Sequence, residues 1–185
     1  MKKHILLTSF STWLPHHTTN SSDDLLLELQ KQDFPHASLH YLRQLPVDIA
    51  QANQKAIAKL EEIQPDFILC CGMAEKRDKI TLESTATCDE ISLKTPIDIE
   101  NLLPDLTFTE ISHDAGKFVC EGLYFKILNR LKESQSKTQC LFLHIPLFTP
   151  ENQFLILNDV LLILKKLCQD LGTSDTINQI PLNPP

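Results

Sequence analysis

Glycine is scarce: the 185 residues contain four, Gly72, Gly116, Gly122 and Gly172. So few cannot build a P-loop or a dinucleotide-binding fingerprint, which excludes phosphate cradles of those types. Long apolar runs are lacking too. The longest candidate, residues 154–164, is interrupted by Asn158 and Asp159, so no membrane-spanning helix is expected. Basic residues are the minority. Seventeen Lys and Arg face 24 Asp and Glu, giving a net charge of −7, which argues against nonspecific binding to nucleic acid or anionic membrane. The start, Met1-Lys2-Lys3-His4-Ile5-Leu6-Leu7-Thr8-Ser9, is basic, but its apolar stretch is too short for a signal-peptide core. The six cysteines form neither a CxxC pair nor a zinc-ribbon spacing. Six reduced thiols in a cytoplasmic protein are therefore expected.

What is present is ordinary globular composition, 42% hydrophobic and 22% charged, on a chain of single-domain length. Short apolar runs alternate with helical periodicity. Strands are expected at 4–9, 37–43, 66–71, 107–112 and 139–144, with Gly72 ending the third. Helices are expected after a Ser21 or Ser22 cap, from Asp48 to Ile63, from Phe118 to Leu131 and from Pro150 to Leu171. Residues 73–105 read as an irregular insert with short strands around Ile80–Thr87. The domain is expected over 1–172, with a loose Pro-containing tail at 173–185. Strand–helix alternation of this kind implies an α/β sandwich with a mainly parallel sheet. Ligands bind such sheets at the carboxyl ends of strands.

Three residues at such ends carry candidate chemistry. Cys120 is expected at a helix start, where unpaired N–H groups favour a thiolate and face a developing oxyanion. The same Cys also fits the apolar stripe with Tyr124, Ile127 and Leu131, as a buried core thiol would. His144 ends the apolar strand Leu141-Phe142-Leu143-His144 and could serve as base and acid to a thiol, or simply be hydrogen-bonded in place. Glu83 could orient an imidazole, although Asp78, Asp89 and Glu90 lie nearby in the chain. Phe10 and Trp13 could clamp a flat ligand or plug the sheet edge. His16 and His17 have no third ligand at sensible spacing, so a polar loop rather than a metal site is expected, and no cofactor.

In this order the segments resemble the pyroglutamyl peptidase (pyrrolidone-carboxylate peptidase) family of cysteine peptidases. Ala115-Gly116-Lys117-Phe118-Val119-Cys120 is similar to that family's nucleophile motif. Supporting segments are Leu6-Leu7-Thr8-Ser9-Phe10, Leu45-Pro46-Val47, Gln64-Pro65-Asp66, Arg77 with Ile80-Thr81-Leu82-Glu83, and Phe142-Leu143-His144-Ile145-Pro146. The resemblance implies a single-domain three-layer α/β/α sandwich, often tetrameric. It implies a thiol peptidase in which Cys120 attacks the amide after an N-terminal pyroglutamate, His144 is the base and Glu83 orients it. Phe10 and Trp13 would hold the pyroglutamate ring between them, Phe118 and Val119 would line the same pocket, and Asn20 matches an Asn before the first helix.

The sequence also departs from the family pattern. A Gln that contacts the lactam is replaced by Met73, which lacks that polar group. A Gly-rich stretch is replaced by Glu75-Lys76. The interval from Glu83 to Cys120 is much shorter, and the Arg that assists the oxyanion has no match; Lys94 is a candidate by proximity alone. Two readings follow: a peptidase or amidase acting on pyroglutamyl or another small N-blocked peptide, or a divergent member that binds a small ligand or partner protein without turnover.

Overall fold

The computed structural model describes residues 2–169. The described elements run β1 (Lys3–Phe10), α1 (Ser21–Gln30), β2 (Ala37–Leu45), α2 (Ile49–Ile63), β3 (Phe67–Met73), β4 (Ile80–Glu83), β5 (Thr85–Cys88), β6 (Ile91–Lys94), β7 (Thr109–Ser112), α3 (Val119–Glu133), β8 (Gln139–Ile145) and α4 (Gln153–Cys168). The main sheet has the order β2-β1-β3-β8-β4-β7, and β5-β6 form a separate hairpin. β2, β1, β3 and β8 are parallel; β4 runs antiparallel to β8 and parallel to β7.

Alternation of side chains across the pleat builds two cores. Ile5, Leu7, Leu69, Leu141 and Leu143 face one layer, formed by α1 and α4. Leu6, Ile68, Cys70, Cys140 and Phe142 face the other, formed by α2 and α3, with Ala86 and Leu93 of the hairpin. Both faces of the central strands are covered, which is why these strands read as continuous apolar runs. Each such Leu or Ile contributes about 1.5–3 kcal/mol by leaving water. The result is the expected three-layer α/β/α sandwich.

Several boundaries differ from expectation. Asn20, rather than Ser21 or Ser22, caps α1: its Oδ1 accepts from the Ser22 amide at 3.0 Å. Asp48 caps α2 as its position implies, accepting from the Gln51 amide. β3 does not stop at Gly72 but runs through Met73. The short strands expected around Ile80–Thr87 are present as β4 and β5, and β4 joins the main sheet. The expected tail at 173–185, and the domain end at 172, lie outside the described residues.

Candidate active site

Glu83 and His144 meet because of strand register. In the antiparallel β4–β8 pair, Thr81 lies opposite His144 and Glu83 opposite Phe142. All four share one face, so Glu83 and His144 are diagonal neighbours, close enough for side chains to touch. The Glu83 carboxylate oxygen Oε1 lies 2.7 Å from His144 Nδ1. The same oxygen accepts from the Thr81 hydroxyl at 2.9 Å and from Arg77 Nη1 at 2.6 Å. Arg77 also donates to the Asp114 carbonyl at 2.8 Å, tying this cluster to the loop before α3. Tyr124 Oη donates to the Glu83 backbone carbonyl at 2.9 Å. Burial of Glu83 by itself would raise its carboxyl. Hydrogen bonds from His144 and Ser112, with the charges of His144 and Arg77, outweigh that and hold it below the usual carboxylate range.

Cys120 enters the same face from the helix layer. Its loop turns at Gly116, whose φ of 91° suits glycine and whose amide donates to Asp114 Oδ1 at 2.9 Å. Phe118 then precedes α3 without a side-chain cap. The first helical bond is from the Gly122 amide to the Phe118 carbonyl. The amides of Val119, Cys120 and Glu121 therefore lie ahead of the helical ladder and carry its positive end.

The sulfur is admitted by an absent side chain. Gly72 on β3 pairs in register with His144 on β8, and a Cβ built on Gly72 would lie 2.6 Å from Cys120 Sγ. The thiol thus occupies the slot that a side chain at 72 would fill, in the row next to His144. The sequence reading treated Gly72 as a strand stop and missed this. The expectation of an acidic thiol is also corrected. Burial, then the neighbouring Cys70 and Glu83, push the Cys120 thiol up to about 12, against the lowering pull of Arg77 and its own amide. A shift in that direction favours the neutral thiol at rest.

A cavity of about 160 Å³ opens over this cluster. It is lined by Cys120 and His144 and by all six expected pocket residues: Phe10, Trp13, Asn20, Met73, Phe118 and Val119. Glu83 is fully buried behind His144. Val47 and residues 115–117, which the sequence marks only as parts of family-like segments and not as pocket residues, complete the wall. Aromatic pairing differs from expectation. Trp13, 52% exposed, packs against Phe118 with ring centroids 5.0 Å apart and planes tilted by 41°, while Phe10 is buried. Asn20 is committed to the scaffold on both ends of its amide, because Nδ2 also donates to the Ser11 carbonyl. Met73 Sδ lies 3.5 Å from the Ser21 amide. Lys94 is exposed on β6 and does not line the cavity. A larger cleft of about 550 Å³ opens at the other end of β3 and β8, around Glu61, Asp66 and Arg130. It contains no thiol or imidazole, so the smaller cavity at the strand carboxyl ends is the one with nucleophile and base.

His16 and His17 are not without a third partner. The loop after β3 brings Glu75 to them, with each histidine Nε2 3.5 Å from one Glu75 oxygen.

No family model matches the chain. Pyrrolidone-carboxylate peptidase 1 of Caldanaerobacter subterraneus subsp. tengcongensis is 28% identical over 173 residues, covering 80% of this chain and 83% of the relative. Pyrrolidone-carboxylate peptidase 2 of the same organism is 27% identical over 168 residues, covering 77% and 80%. Two solved structures share the fold. The pyrrolidone carboxyl peptidase of Fervidobacterium islandicum AW-1 superposes with a TM-score of 0.81 at 23% identity, over 91% of this chain and 99% of that one. That of Thermococcus litoralis gives 0.80 at 21%, over 97% and 100%. These relatives in sequence and this shared fold support the resemblance of the chain to the pyrrolidone-carboxylate (pyroglutamyl) peptidase family.

Proposed function

We propose that this protein is a cysteine-type omega peptidase that removes an N-terminal pyroglutamate, or a closely related small blocking group, from peptides. The observation that carries the proposal is the convergence of Cys120 and His144 on one small cavity, with His144 hydrogen-bonded to buried Glu83. The names of the relatives favour turnover over the ligand-binding reading. Cavity size favours a single small group: about 160 Å³ is below the 300 Å³ or so at which drug-sized sites begin.

In this reading the thiol is neutral at rest and is activated during attack. As the Cys120 sulfur bonds to the amide carbonyl carbon, its proton passes to His144. The bond from Nδ1 to Glu83 leaves Nε2 for that proton and stabilises the imidazolium that forms. Negative charge on the carbonyl oxygen is met by amides at the start of α3, the Cys120 amide among them. His144 then returns the proton to the departing amine as the carbon–nitrogen bond breaks. Water, deprotonated by His144, hydrolyses the thioester and frees Cys120. Trp13 and Phe118 would cover the blocking group at the rim. Arg77 is a positioning residue that holds Glu83 charged.

No helix among the described residues is long and apolar enough to cross a membrane. All six cysteines are free thiols, which suits a reducing cytoplasm. The test is release of aminocoumarin from pyroglutamyl-aminocoumarin, beside other N-acyl amides, by wild type and Cys120→Ser. Wild type should release the fluorophore, and the variant should lose at least 10³-fold in kcat/KM, as removal of a triad nucleophile does. A wild type inactive on the whole panel contradicts the proposal.

A further inference from the structure

The peptidase reading leaves three groups unused: His16 and His17 in the loop after β1, and Glu75 in the loop after β3. His16 Nε2 lies 3.5 Å from one oxygen of Glu75 and His17 Nε2 3.5 Å from the other. One ligand atom from each residue can be chosen so that all three lie within 4.8 Å of one another. Zinc held tetrahedrally by bonds of about 2.0–2.1 Å spaces neighbouring ligand atoms by about 3.4 Å. The two nitrogen–oxygen edges therefore already have nearly the required length.

His17 supplies an independent observation. Its side chain is only 6% exposed, yet neither Nδ1 nor Nε2 has a hydrogen-bond partner. A buried polar group left unsatisfied costs about 1–3 kcal/mol, so an orphaned imidazole pointing at a second imidazole and a carboxylate calls for an electrophile. His16 and Glu75 are 61% and 44% exposed in their side chains, which gives an ion a way in and leaves room for water as a fourth ligand. Two imidazoles and one carboxylate form a donor set suited to zinc rather than to magnesium or calcium.

We propose that His16, His17 and Glu75 form a zinc site beside the cavity. The ion would tie together the loops that follow β1 and β3. The first carries Trp13 and the second begins next to Met73, and both residues line the cavity. Metal occupancy would thereby fix the mouth of the cavity. The site goes beyond the peptidase reading and would stand even if Cys120 proved inert.

The test is calorimetric titration of chelator-stripped Cys120→Ala protein with zinc chloride, in parallel with cobalt spectroscopy. The Cys120→Ala background removes the cavity thiol as a competitor. One ion per chain is expected, with a visible cobalt spectrum free of thiolate charge transfer. Because His17 is buried, the exposed substitutions His16→Ala and Glu75→Gln carry the comparison; each should weaken binding at least tenfold while thermal melting in chelator stays the same. No saturable binding, unchanged affinity in both variants, or a thiolate–cobalt band would each overturn the site.

Discussion

Gly72 does its work by what it lacks. A methyl group there would meet Cys120 Sγ at 2.6 Å and the Phe142 ring at 2.9 Å, and neither contact is tolerable. Gly72→Ala should cost about 1–3 kcal/mol in urea denaturation, as overpacking does. It should also lower kcat/KM at least tenfold, because the sulfur must leave its slot beside His144. A variant that loses stability but keeps full activity would show that the slot does not position the thiol. The neutral resting thiol gives a second prediction. With its ionisation pushed up to about 12, alkylation of Cys120 by iodoacetamide without substrate should rise about tenfold per pH unit from pH 7 to 10. A rate already at plateau at pH 6 would mean a preformed thiolate–imidazolium pair. Sequence chemistry missed this because a helix N-terminus announces itself in the chain, whereas burial against Cys70, Phe142 and Glu83 is a property of the fold.

Asp159 shows how one residue fixes an element. It lies on α4, is fully buried, and accepts from the Phe108 amide at 2.7 Å, the Thr109 hydroxyl at 2.8 Å and the Thr107 amide at 3.3 Å. These bonds lead the chain into β7, the edge strand beside β4. Asp159→Ala strands those donors and should cost about 2–3 kcal/mol in chemical denaturation; a loss below about 0.5 kcal/mol would show that the anchor is dispensable. On sequence, Asp159 reads only as an interruption of an apolar run. The long elements were legible because their periodicity is strong: α2 begins after Asp48 as expected, and β1, β3 and β8 fall on the apolar runs. β4 was not legible as a sheet strand. Its four residues, Ile-Thr-Leu-Glu, are too few to declare a period, and its antiparallel sense depends on pairing with β8, far along the chain. That pairing is what brings Glu83 to His144, so Glu83 could be named by resemblance but not positioned from local pattern.

For the molecule as a whole, buried ionisable groups define a stability window. Glu83 and Asp23 are both held below their ordinary carboxylate values. Burial opposes this in each, but hydrogen bonds prevail: Asp23 accepts from Arg43, Ser9 and Gln44, as Glu83 does from its own partners. Their stabilisation is present above the unfolded values near 4 and is lost as pH falls through the folded values. Burial raises the thiols of Cys71, Cys120 and Cys140. Their contribution is complete below the unfolded value of about 8.5 and is lost as pH rises through the folded values. Melting temperature in reducing buffer should therefore be highest and nearly flat from about pH 5 to 8, falling on both sides; a maximum below pH 4 or above pH 10 would contradict this pattern. The central claim is covalent, and acid-quenching wild type during turnover of a pyroglutamyl peptide, followed by peptide mass mapping, tests it most directly. A pyroglutamyl adduct on the peptide containing Cys120, absent from Cys120→Ser, is the predicted result; turnover with Cys120 unmodified at every quench time would contradict it.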